Sequence, residues 1–293
     1  MSDWSDVDSR SYIVAFELRS PGDCPEDFHL VSDPGEFEAG LFLPRDDPDW
    51  FGRSAYPPHV LLLTRDRFRI LPHPSARAAG VEWPLASLSS VEAGHMLLKG
   101  WLHFAAGDVS YRVRYNTRGL RSVSGFMCRL RRRLLGAARA GRREAGLESA
   151  GLDVKFDYAL RSELDAGESI VARFFQAPTV IDHRMWLLPG RRHLAGDLLV
   201  LSDRRIVWIT DRYRGFHSRY GAVTSYAPLG AVERLEVVHT RENHTVAVRL
   251  HGAPSWEIPI DHNRVREAIA FAGRFDGYRR PLAGPAKSRG FAD

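Results

Sequence analysis

The chain of 293 residues carries twelve histidines, 41 lysines and arginines, and 36 aspartates and glutamates. Chemistry depends on whether these groups stand at working distances from one another. Zinc sites announce themselves through HxH, HExxH or a tight His/Asp/Glu cluster, and none is present. The nearest approaches, Asp182-His183 and Asp261-His262, read as a surface pair and a helix-capping pair. Cys24 and Cys128 are far apart and lack CxxC spacing, which argues against a disulfide scaffold and against a thiolate metal site. GxGxxG, GxxxxGK[ST] and GxSxG are all absent. Asp46 and Asp47 stand side by side, but in a wet Pro/Asp loop without the desolvation that raises a catalytic carboxyl's pKa. The expectation is a non-catalytic protein with no metal, no cofactor and no catalytic residues. An active site assembled only by the fold is the exception that such a scan misses.

One segment does carry binding chemistry. Asp211 to Tyr220 holds Arg212, Tyr213, Arg214, His217 and Arg219, bases interleaved with aromatics. Guanidinium groups make bidentate contacts to phosphate or carboxylate, and aromatic rings supply interfacial or stacking area. These five residues are the candidate ligand-binding set, for an anionic headgroup, an acidic peptide or a phosphate. At about 1 kcal/mol per basic residue near an anionic bilayer, three arginines supply only ~3 kcal/mol, so recruitment to a membrane needs a pocket, further basic surface or avidity.

Charge is unevenly spread. Residues 1 to 50 hold 13 acids and 3 arginines, whereas Arg118 to Arg143 contains nine arginines and no acid. The acidic leading segment repels phosphate and no nucleic-acid module signature is present, so nucleic acid is disfavoured as a partner. The start of the chain is acidic where a signal peptide needs basic residues. No apolar run approaches the eighteen or so residues of a membrane span. A cytoplasmic location is expected, with peripheral attachment to the inner membrane face as the alternative.

The elements that position these residues follow from an internal duplication. Asp33-Pro-Gly-Glu36 matches Asp165-Ala-Gly-Glu168, and Val60 to Leu71 matches Leu198 to Ile209. Pro84 to Glu92 matches Pro228 to Glu236, and Tyr111 to Asn116 matches Trp256 to Asp261, with offsets that only increase. Each unit reads as strands followed by one helix. Thr64 to Arg67 and Ser202 to Arg205 are the polar turns of equivalent hairpins. The first strand of each hairpin is apolar throughout, which predicts burial on both faces beneath a second layer. Asn116 and Asp261 are equivalent N-caps. Leu120, Val123, Phe126, Met127, Leu130 and Leu134 make one helical stripe, with Arg121, Arg129 and Arg132 outward. Val265, Ala268, Ile269, Ala272 and Phe275 make the counterpart.

A bent antiparallel sheet with a C-terminal amphipathic helix in about 110 residues resembles the pleckstrin-homology superfold. The phrases Leu61-x-Leu63-Thr-Arg-Asp-Arg-Phe68 and Leu199-Val-Leu-Ser-Asp-Arg-Arg-Ile-Val-Trp-Ile209, each followed by a Pro-Leu strand, are similar to bacterial pleckstrin-homology-like and GRAM-like domains. The fold class expected is mainly β with α: two such units, each a bent sheet or partial barrel closed by its helix. The expected layout is a tail at 1–10, a first unit at 11–135, a connector at 136–160, a second unit at 161–276 and a tail at 277–293. The resemblance implies binding of a protein partner, self-association or an anionic membrane surface. It brings no catalytic residues.

Overall fold

The computed structural model describes residues 14–28, 37–45, 56–76, 78–96, 98–136, 151–185, 188–213, 216–217, 222–240 and 244–279. It is mainly β, with three helices and several antiparallel sheets, none closed into a barrel. Five strands come first: β1 (Phe16–Leu18), β2 (Phe37–Leu43), β3 (His59–Thr64), β4 (Arg67–Pro72) and β5 (Val81–Pro84), paired in that order. β6 (Leu88–Met96), β7 (Lys99–Ala106) and β8 (Val109–Asn116) form a meander that leads into α1 (Leu120–Leu135). After α2 (Val154–Glu163) come β9 (Ile170–Gln176), the hairpin β10 (Thr179–Met185) and β11 (Leu188–Leu194), β12 (Asp197–Ser202) and β13 (Arg205–Thr210). A two-residue hairpin, β14 (Arg212–Tyr213) and β15 (Phe216–His217), precedes β16 (Val223–Pro228). The chain closes with β17 (Val232–His239), β18 (His244–Leu250), β19 (Ala253–Ile260) and α3 (Val265–Arg279).

With β1 and the hairpins β10-β11 and β14-β15 set aside, the two halves repeat one order: four strands in a meander (β2-β3-β4-β5 and β9-β12-β13-β16), three strands in a meander, then a helix. Local chemistry repeats with it. The Thr64 hydroxyl accepts the Arg67 N–H at 3.2 Å and the Ser202 hydroxyl accepts the Arg205 N–H at 3.1 Å, fixing the same hairpin turn twice. Pro84 and Pro228 each open a single 3-10 turn, and the next N–H, on Leu85 or Leu229, donates across to the hairpin carbonyl of Asp66 or Arg204. Asn116 and Asp261 accept from Arg118 N and Asn263 N, starting the turns that lead into α1 and α3.

The halves are not laid side by side as separate bodies. β16 pairs antiparallel with β6, Tyr226 opposite Val91 and Ser225 opposite Glu92, so one seven-stranded sheet runs β8-β7-β6-β16-β13-β12-β9 through both. The largest apolar cluster crosses the boundary between them, joining Phe68, Phe104 and Phe126 to Leu198, Val200, Val207 and Ile209. The physical reason is the apolar β12. Leu198 and Val200 face that shared core, while Leu199 and Leu201 face a second cluster with Trp256, Ile258 and Phe271. β3 is likewise buried along its whole length. Its outer residues Val60 and Leu62 are covered by Leu18, Cys24 and Phe28 from the leading segment.

In α1, Val123, Phe126, Met127 and Leu130 are buried and Leu120 and Leu134 pack at the margin, as the stripe predicts. Gly136, at φ 71°, ends the helix in a conformation that side chains resist. α3 differs from its predicted stripe by one residue: Ile269 is half exposed and Phe271 takes the buried place. α2 begins inside the stretch read as connector and packs Phe156 and Leu160 into the shared core. Residues 277–279, read as tail, are the last of α3. Residues 137–150, 1–13 and 280–293 lie outside the described residues. Among the described residues, no helix is long and apolar enough to cross a membrane.

Candidate functional site

The seam where β6 meets β16 forms the floor of an open groove of about 270 Å³. Register places one row of side chains across it: Arg112 on β8, His103 on β7, Glu92 on β6, Ser225 on β16 and Trp208 on β13. Period-two alternation puts the row on the sheet face opposite Val91 and Phe104, which point into the core. Pro254 to Glu257, at the start of β19, make the wall. Both halves therefore contribute to one concavity, and neither could form it alone.

The groove is anchored by indoles. The Trp101 Nε1–H donates to Glu92 Oε1 at 2.6 Å. That ring lies flat over Gly94, where a Cβ would sit 2.1 Å from the nearest ring carbon, so only glycine fits beneath it. The Arg112 guanidinium covers Trp101 at 5.2 Å from the ring centroid. In the wall, Trp208 and Trp256 are 6.0 Å apart between centroids, and Trp208 Nε1–H donates to Asp197 Oδ1 at 2.9 Å. Burial lowers the His103 pKa; Glu92 opposes this and Arg112 adds to it. A mostly neutral imidazole follows.

Three titratable groups, Glu92, His103 and Glu257, thus meet in the groove with three serines, Ser90, Ser225 and Ser255. His103 stands directly across from Glu92 on the paired strands. Glu92 is held by the Trp101 indole, and Glu257 is an exposed rim residue 3.6 Å from Arg249. The arrangement suits binding: polar floor, apolar aromatic wall, open at one side.

Behind the groove, on the core face, a buried ionic cluster ties the halves. Arg205, fully buried, donates from Nε and Nη2 to the two oxygens of Glu168 at 2.8 and 2.7 Å, and from Nη2 to the Glu163 carbonyl. Arg131 of α1 donates to Glu163 and Asp165. Among the described residues, the basic run that begins at Arg118 therefore has one member inside, Arg131. Burial raises the Glu168 pKa, but hydrogen bonds and charge from Arg205, with the Ser202 hydroxyl and the Asp165 N–H, outweigh it and the net shift is downward.

Of the candidate ligand set, Arg212 and Tyr213 lie on β14 and His217 on β15, with Arg212 opposite His217. Arg214, Arg219 and the side chains of all five lie outside the described residues. Sequence reasoning missed the groove, because its members come from five strands at large separations. The local hint is the single tryptophan Trp101 with Gly94 opposite it on β6, a small residue facing a large one, which marks a ring lying on a sheet but does not locate the groove. Among the described residues, no group of three or more His, Cys, Asp or Glu is arranged to hold a metal ion. Asp261 caps the turn before α3, as expected, and the side chains of Asp182 and His183 are outside the described residues. No protein-family model matches the chain, and no curated protein matches it significantly.

Proposed function

We propose that the chain is a non-catalytic tandem pleckstrin-homology-like, GRAM-like binding or scaffolding protein, and that it recognises a protein partner through the groove at the seam of its two halves. The observation that carries this reading is the composite lining of that groove. Glu92 and His103 come from one half and Trp208, Ser225 and Trp256 from the other, on a floor fixed by continuous strand pairing. Indole walls around a polar floor are the composition of interface hot spots, and a rigid floor lowers the ordering cost of binding. The 4-3-helix order of each half supports the resemblance argued from Thr64 to Phe68 and from Ser202 to Ile209.

The test is affinity capture from the source cell with the wild-type chain and with Ser255→Arg and Glu257→Arg, which crowd the groove from the accessible positions of its wall. A partner recovered with wild type and lost with both variants supports the reading. Equal recovery with all three removes the groove, and absence of any partner together with a monomeric mass in light scattering removes the scaffold. Sedimentation with anionic against neutral vesicles runs alongside, using Arg212→Ala with Arg214→Ala and Arg219→Ala. Vesicle binding that those changes abolish would replace this reading with the peripheral-membrane one.

A further inference from the structure

The groove carries negative charge in a chain whose formal net charge is +5. Glu92 and Glu257 bring carboxylates and Ser225 and Ser255 bring hydroxyls, while no lysine or arginine stands among the described residues that line it. Trp208 commits its indole N–H to Asp197 Oδ1, at 2.9 Å, and so offers an occupant a π face rather than a donor. Register sets Glu92, Ser225 and Trp208 on three neighbouring strands, β6, β16 and β13. Two strand spacings put the first and last about 10 Å apart, over a serine too short to fill the interval.

Each class of occupant meets this lining differently. An acidic side chain would face Glu92 and Glu257 with no counter-charge from the lining. An apolar one would strip water from carboxylates and hydroxyls and return no hydrogen bond. A guanidinium has five N–H donors, a fixed positive charge and two flat faces, so it stacks on an indole while its edge donates to a carboxylate. The chain already makes that combination beside the groove. Arg112 lies over Trp101, 5.2 Å from the ring centroid, and the same indole donates to Glu92 Oε1 at 2.6 Å. That bond takes one of the roughly four lone-pair positions of the Glu92 carboxylate. Trp208 stands on the other side of Glu92, beyond the β6-β16 seam, and is partly exposed.

Resting on the groove reading above, we propose that the protein partner inserts an arginine side chain here, its guanidinium stacked on Trp208 and donating across Ser225 to Glu92, with Glu257 at the rim supplying a second negative charge. The arginine repeats on Trp208 what Arg112 does on Trp101. Arginine is favoured over lysine because an ammonium has no flat face to stack. His103, opposite Glu92 on β7 and mostly neutral, leaves the charge of that carboxylate available to the partner.

The test uses the full chain, with Nα-acetylarginine amide as the probe and Nα-acetylcitrulline amide as its neutral isostere, and reads binding from the Trp208 indole N–H resonance. The arginine probe is expected to shift that resonance saturably, and the citrulline probe to bind about tenfold more weakly. Glu92→Gln keeps an oxygen for the Trp101 indole but removes the charge, and is expected to weaken the arginine probe about tenfold. Glu257→Gln, at the exposed rim, is expected to weaken it about threefold. Asp276→Asn, an exposed acid on α3 outside the lining, is expected to change nothing. Equal binding of arginine and citrulline, or unchanged affinity in Glu92→Gln, overturns the arginine site. Affinity capture separates this inference from the reading it rests on. A partner lost with Ser255→Arg but fully recovered with Glu92→Gln would overturn the arginine contact and leave the groove reading standing. Saturable, charge-dependent binding at Trp208 with no partner recovered would uphold the arginine site and remove the protein-partner reading.

Discussion

Arg67 and Arg205 occupy the same place in the two halves, the residue after the hairpin turn that opens the third strand of each four-strand meander. Their surroundings are opposite. Arg67 is half exposed and pairs with Glu82 across β4 and β5. Arg205 has no exposure at all and pairs with Glu168 beneath α2. One scaffold position thus serves as ordinary surface in the first half and as an internal fastening in the second. What differs is only what lies over the sheet. Acids and arginines of the first meander face water, while the second meander is overlaid by α2 and by the first half's own core.

The widest separation is expected where the two terminal helices are compared. Phe126→Ala in α1 and Phe271→Ala in α3 each remove a buried ring and are expected to cost about 3–5 kcal/mol in urea unfolding. Ile269→Ala, at the half-exposed position that the apolar stripe would have buried, is expected to cost under about 1 kcal/mol. A large loss at Ile269 would mean that α3 sits rotated from this description.

The arginine comparison comes next. Glu168→Gln leaves a buried guanidinium without its counter-charge and is expected to cost about 3 kcal/mol. Glu82→Gln is expected to cost about 0–1 kcal/mol, because its pair is open to solvent. The pH dependence has a defined sign. Glu168 titrates below the ordinary glutamate value of 4.5 in the folded chain. Its contribution is therefore present above that value and is lost as pH falls through the lower folded one. Glu168→Gln should flatten the acid limb of the stability profile; an unchanged limb would show that other carboxylates govern it.

The smallest effects are expected at the caps. Asn116→Ala and Asp261→Ala each remove the oxygen that accepts the first free N–H, at about 1 kcal/mol apiece. Near-equal losses would strengthen the equivalence of the two halves; a loss at one cap alone would weaken it.

Much of the order of elements was legible, because it is written in local chemistry. The Thr64 and Ser202 turns, the Pro84 and Pro228 turns and the two caps each depend on a few neighbouring residues. The doubly apolar strands at Val60 and Leu198 also foretold a covering layer. The seam was not legible. Val223-Thr-Ser-Tyr-Ala-Pro228 reads as any half-buried strand, and nothing local says that its partner is β6. The burial of Arg131 and Arg205 was hidden for a related reason, since a guanidinium reads as solvated until its carboxylates are brought over it. α2 was readable in hindsight from the Asp153 cap and the Phe156–Leu160 spacing. The groove as a whole was beyond reach, being a product of register between distant strands.

The pairing of β6 with β16 has a consequence for biogenesis. As the chain emerges during translation, β6 is complete while β16 is still unsynthesised, and for that interval its outer edge offers open amide and carbonyl groups to any passing strand. Such contacts between distant residues also slow folding. The nascent first half is therefore the vulnerable species, and expressing residues 1–136 alone should yield aggregates that the later arrival of β16 normally forestalls.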